Sequence, residues 1–149
     1  MIRYLFSIIA VVAALNVFAD DAPTIYPPPP SSASLAKDSR FFEMRTYHAA
    51  PGKLEALHSR FRDFTNKLFT KHGMTMVGYW VPMNKEGQYE NTLVYVLAFP
   101  SREAHDKSWK EFSEDPEWKA AKADSEKSGK LVEKVDSVYM TATDYSPIK

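Results

Sequence analysis

The side chains best suited to chemistry lie at the start of the folded part of the chain. Glu43, Arg45 and Tyr47 alternate with Phe42, Met44 and Thr46 along residues 41–48. A period of two puts the first three on one face of a strand, together with Phe41. The opposite face, Phe42, Met44 and Thr46, is core-like. By this parity Arg45 and its neighbours point away from the helices and into the interior of a barrel. A charged pair in such a place is costly unless it is paired or functional. One reading is a structural ion pair that sets strand register or a subunit seam. The other is recognition of an anionic or polar ligand by the Arg45 fork, with Glu43 orienting it.

Two further residues complete the candidate ligand-binding set of Glu43, Arg45, Tyr47, His72 and Trp80. His72 stands beside Gly73 in the last turn of a predicted helix, where an imidazole caps carbonyls and complements the helix dipole. The competing roles are general base or haem ligand. Trp80 differs in strand parity from Val77, Tyr79 and Val81, so both faces of its hairpin carry aromatics and one must meet a barrel interior or a partner. Tyr79, Trp80, Tyr95, Trp109 and Trp118 are otherwise ordinary core aromatics. His48, His58 and His105 have no metal-ligand spacing, and His105 reads as exposed surface. No metal site and no catalytic residue are assigned. Nucleophile-elbow, phosphate-loop and dinucleotide fingerprints are absent from the sequence.

The elements that position these residues follow from periodicity. After the strand at 41–48, Pro51 suits a first helical turn. Leu54, Leu57, Phe61, Phe64, Leu68 and His72 then recur every three or four residues, predicting one helix closed by Gly73. Residues 74–82 and 92–99 read as a hairpin around a polar turn. Ser101 caps a helix over about 102–112, offering Ala104, Trp109 and Phe112 inward. Asp115-Pro116 starts another helix, with Trp118 and Ala121 inward, that stops at Gly129. A final strand covers 131–143. The order β-α-β-β-α-β predicts an α+β, ferredoxin-like unit, a four-stranded antiparallel sheet with helices on one face. Nothing else in the chain is expected to cover the other face, so a second copy should do so in a symmetric homodimer.

Composition sets the address. The 149 residues are 44% hydrophobic and 26% charged, with 19 basic and 19 acidic side chains and no cysteine. A balanced charge with pI near 6.9 provides no field for nucleic acid. Without cysteine there is no disulfide, thiol nucleophile or thiolate metal site. Residues 1–19 carry Arg3, a short apolar run and Val17-Phe18-Ala19, the pattern of a secretory signal cleaved near Ala19, with an uncleaved anchor as the alternative. The expected location is therefore secreted or periplasmic, without stable membrane insertion after cleavage. Residues 20–38, with Pro27–Pro30 and a Ser-rich run, read as a disordered linker, and 39–149 as the domain.

Several stretches resemble the NIPSNAP family: Phe42–Tyr47 (FEMRTY), Pro51–Leu54 (PGKL), His72-Gly73 with Val77–Trp80 (VGYW), Leu93–Pro100 (LVYVLAFP), Asp115–Lys119 (DPEWK) and Asp144–Pro147 (DYSP). The resemblance implies the dimeric α/β-barrel superfamily, in which two ferredoxin-like units pair sheet to sheet. That superfamily includes cofactor-free monooxygenases, haem-degrading enzymes and isomerases. The NIPSNAP branch itself has no generally assigned catalysis, and its better-known members are organellar or signalling-related, whereas this chain carries a secretory-type leader. The expected function is thus an exported, non-catalytic homodimer, without cofactor, binding a small, mostly apolar ligand with one polar end, or a protein partner. The alternative is a cofactor-free oxygenase or haem-handling enzyme using His72 or Trp80. An open cavity flanked by Glu43, Arg45 and Trp80 would favour binding or catalysis; a filled interior would favour interaction alone.

Overall fold

The computed structural model describes residues 34–83 and 89–149. The expected signal segment and most of the expected linker lie outside the described residues. Strand β1 (Phe41–Ala49) leads into α1 (Leu54–Arg60), a π-helical turn (Phe61–Thr65) and α2 (Asn66–Lys71); β2 (Thr75–Trp80) and β3 (Thr92–Phe99) form the hairpin; α3 (Arg102–Glu114), α4 (Pro116–Ser125) and β4 (Val132–Thr141) complete the fold. The strands form one antiparallel sheet in the order β2-β3-β1-β4, the ferredoxin-like arrangement expected. Among the described residues no helix is long and apolar enough to cross a membrane.

The caps behave as their residue types demand. Ser101 Oγ accepts from the Ala104 amide and Asp115 from the Glu117 amide, each supplying an acceptor that a helix start lacks. Gly73 ends α2 at φ +73°, a left-handed conformation that only glycine adopts cheaply.

The predicted stripe on the first helix needs correction at Phe64, which is 42% exposed while Thr65 and Phe69 are buried. The cause is the π turn. Its wider winding carries Phe64 out of line and brings Thr65 and Phe69 in. The Asn66 amide reaches back to the Phe61 carbonyl, and the Thr65 hydroxyl donates to the Arg60 carbonyl at 3.2 Å.

The two faces of β1 are sorted as predicted, but their destinations are reversed. Phe41 and Tyr47 pack with the main core, beside Leu57, Phe61, Tyr95, Leu97 and Phe99 under the helices. Glu43 and Arg45 share that face and point toward α3, not away from the helices. Phe42 lies on the other side with Val77, Val96, Ala98 and Met140. Alternation separates two sets of residues; which set is covered depends on what the helices bring, and α3 brings hydrogen-bond donors. A bulge between Met76 and Gly78 also resets the parity of β2. Val77 and Trp80 consequently share the helix-free side, while Tyr79 joins the main core.

The helix-free face is covered at one end by the chain itself, contrary to expectation. Leu35 bridges Thr143, the Asp144 amide donates to the Ser34 carbonyl, and Ala36 and Ala142 pack around Phe42. Arg40 Nε donates to the Lys149 carbonyl at 2.8 Å, which draws the last residues over the same end. Trp80 at 53% and Val138 at 48% exposure lie on the remainder.

Candidate functional site

Glu43 is the most deeply buried acid of the described residues, at 1% exposure. Its Oε1 accepts from Arg45 Nη1 at 3.0 Å; its Oε2 accepts from Trp109 Nε1 at 2.7 Å and from His105 Nε2 at 3.0 Å. The two donors from α3 stand one helical turn apart, the spacing that lets both reach one carboxylate. The Arg45 guanidinium lies over the Trp109 ring at 4.3 Å from its centroid, and more distantly over Tyr47. His105 is enclosed by Phe41, Phe99 and Tyr139, and its Nδ1 lies 2.7 Å from Asp106 Oδ1. The arrangement is a satisfied polar knot between β1 and α3. Chemically it locks a helix to a strand, since every Glu43 oxygen already has a donor.

This knot corrects the reading of His105 as a surface residue, because it is 4% exposed. A signal for it was present: an acid on a strand face that turns inward needs donors, and His105 and Trp109 share one helix face. Beside the knot the Tyr95 hydroxyl is buried with no hydrogen-bond partner among the described residues. Burial, reinforced by the adjacent Tyr47 phenol, pushes its pKa well above the ordinary tyrosine value.

His72 is not a carbonyl cap. Its Nε2 lies 2.7 Å from Asp115 Oδ2, and Lys71 Nζ approaches the same oxygen at 2.8 Å. The hydrogen bonds from Lys71 and then His72 hold the Asp115 carboxyl far below the usual carboxylate range. Together they tie the end of α2 to the first turn of α4. A haem iron would compete with Asp115 for that nitrogen, so His72 as placed does not fit a haem ligand. Among the described residues no group of three His, Cys, Asp or Glu side chains is placed to hold a metal ion.

Trp80 is separate from both clusters. It lines a cavity of about 290 Å³ with His58, Phe61, Arg62, Asn66, Tyr79, Val81 and Leu93, between the π turn and the β2–β3 hairpin. Phe61, on the predicted helix stripe, packs edge-on against Tyr79. Asn66 accepts from the Tyr79 hydroxyl through Oδ1 at 2.8 Å, which leaves its amide N–H₂ to serve a guest. Burial raises the Tyr79 pKa, keeping its phenol neutral. The indole of Trp80 lies over Gly78, so close that a Cβ there would sit 2.7 Å from the ring. The candidate residues therefore divide three ways: Glu43, Arg45 and Tyr47 under α3, His72 against Asp115, and Trp80 in a cavity that neither Glu43 nor Arg45 lines. Sequence reading placed Phe61 on the inward helix stripe but missed His58 and Asn66 at that cavity; Asn66 follows the π turn, which spacing alone does not reveal.

Comparison with known proteins places this geometry in context. The family model described as NIPSNAP matches residues 42–147. Similar solved structures include a NIPSNAP family protein of unknown function from Agrobacterium tumefaciens str. C58, 22% identical over 78% of this chain and 99% of that one, with a TM-score of 0.66. Another is an uncharacterised NIPSNAP domain protein from Burkholderia xenovorans, 21% identical over 72% of this chain and 98% of that one, with a TM-score of 0.61. No curated protein matches. At these identities the solved structures speak for the fold alone.

Proposed function

The chain belongs to the NIPSNAP family, and from that membership we propose that it is an exported, non-catalytic homodimer that holds a small, mostly apolar ligand with one polar end. The observation that carries this reading is the cavity beside Trp80. Phe61, Tyr79 and Leu93 make its apolar walls, Trp80 and Val81 border it where β2 ends, and Asn66, His58 and Arg62 supply polar contacts. Its volume of about 290 Å³ is close to the lower end, roughly 300 Å³, of ordinary small-molecule sites. The Glu43 knot gives no comparable support to catalysis, because its carboxylate is already fully engaged. Export rests on residues 1–19 and their small-residue cleavage pattern. Dimerisation rests on the exposed Trp80 and Val138 on the helix-free side of the sheet.

The test uses 1-naphthol, an uncharged bicyclic molecule with a single hydroxyl. Titration should quench tryptophan fluorescence saturably, and Trp80→Ala should weaken binding severalfold, because Trp80 borders the cavity. Native mass spectra of protein purified from its own host should carry a bound mass that Trp80→Ala loses. Saturable binding of 1-naphthol that is unchanged in Trp80→Ala would remove the site from this cavity.

A further inference from the structure

We infer that the chain has a second ligand site, for a small organic monocarboxylate, in the gap between α4 and the helix-facing side of β4. The gap is a cavity of about 270 Å³ whose lining includes Arg60, Trp118, Lys122, Glu126, Lys130 and Val135, together with Val132 and Glu133 of the β4 end. It arises because β4 is an edge strand. Its helix-facing Val135 remains 39% exposed. Trp118, Lys122 and Glu126 follow at intervals of four, so α4 and the Glu126 cap that ends it present them on one side.

Arg60 forms the electrostatic centre of this site. It is 5% exposed, far below what a solvated arginine shows. Its guanidinium lies over Trp118 at 5.3 Å. Nη1 donates to Glu126 Oε1 at 3.0 Å and to Ser125 Oγ at 3.4 Å, while Nε has no hydrogen-bond partner among the described residues. Buried donors ordinarily find acceptors. A guanidinium fork matches a carboxylate, and here Glu126 uses only one arm of it. The lining carries three cations, Arg60, Lys122 and Lys130, against two acids, Glu126 and Glu133. One excess positive charge suits a monoanion rather than a phosphate dianion. Val132, Val135 and the Trp118 ring offer apolar surface for the body of such a guest. The buried cation distinguishes this site from the cavity beside Trp80, whose one lining arginine, Arg62, is exposed and paired with Glu55.

Benzoate and its neutral counterpart benzamide make the test, read by ligand-observed NMR and calorimetry on the mature protein. Wild type should bind benzoate at millimolar concentration and benzamide at least about tenfold more weakly, the loss expected without the charged hydrogen bonds. Val135→Trp, at a half-exposed position, should fill the gap and abolish benzoate binding while far-UV circular dichroism and 1-naphthol binding persist. Lys122→Gln with Lys130→Gln should weaken benzoate without altering the melt. Trp80→Ala should leave benzoate binding unchanged, which separates this site from the one proposed above. Equal affinity for benzoate and benzamide, no benzoate binding at all, or benzoate binding that Val135→Trp leaves intact would each overturn the assignment.

Discussion

Glu43 shows how a buried charge is accommodated residue by residue. It has three donors from three side chains, so removing one leaves a carboxylate that is still partly served. Arg45→Met should therefore cost about 1–3 kcal/mol, the worth of one charge-assisted hydrogen bond, below the roughly 3–5 kcal/mol of a carboxylate stripped of its only partner. Glu43→Leu should be worse than Arg45→Met, because it orphans His105 and Trp109 together. Urea denaturation of the two variants checks the order; equal costs would reduce the knot to a simple ion pair. Asp115 makes the matching prediction for pH. Its carboxyl lies below its ordinary value in the fold, so its contribution is complete above the unfolded value of about 4 and is lost as pH falls below it. Asn caps a helix as well as Asp, so Asp115→Asn isolates the charge. Its urea midpoint should fall below wild type at neutral pH and converge with it in acid. A constant difference down to about pH 3 would assign the effect to capping instead.

At the scale of elements, two irregularities create the cavity beside Trp80. The π turn moves Phe64 outward and Phe69 inward, and the bulge in β2 places Trp80 over Gly78. Gly78→Ala tests the second. A methyl at that position would meet the far edge of the indole at 2.7 and 2.9 Å. Trp80 is half exposed, so its ring can swing away at a cost of about 1 kcal/mol or less. The expected outcome is a nearly unchanged melt, a red-shifted Trp80 emission and weaker 1-naphthol binding. Thr65→Val tests the first: loss of the hydroxyl bond to the Arg60 carbonyl should cost about 1 kcal/mol. Unfolding of Gly78→Ala would mean that the indole is locked in place.

For the whole molecule, the helix-free side of the sheet is the unresolved business of a single chain's core. Segments flanking the sheet cover the Phe42 end, through Ala36, Ala142 and the tail that Arg40 holds. Trp80 and Val138 stay exposed on the remainder. Light scattering at low micromolar concentration should give twice the monomer mass, and Val138→Lys should shift it toward monomer, because a like charge then faces its counterpart across a two-fold interface. A stable wild-type monomer under those conditions would end the dimer proposal. N-terminal sequencing of exported protein should begin at Asp20; an intact Met1 in the membrane fraction would favour the anchor.

The strand order, both helix caps and the α+β class were legible in the sequence because they depend on local rules: alternation, three-to-four spacing, and Ser101, Asp115 and Gly73 at element ends. The partition of β1 into two faces was legible for the same reason. Its direction was not, since Glu43 turns toward the helices only because His105 and Trp109, more than sixty residues away, arrive there as donors. Trp80 was visible as an aromatic of unusual parity, but one bulged residue moved Val77 to its side of the sheet. The cavity itself is the sum of a π turn and that bulge. Each shifts a register by a single residue, and only tertiary packing decides where such a shift is worth its local cost.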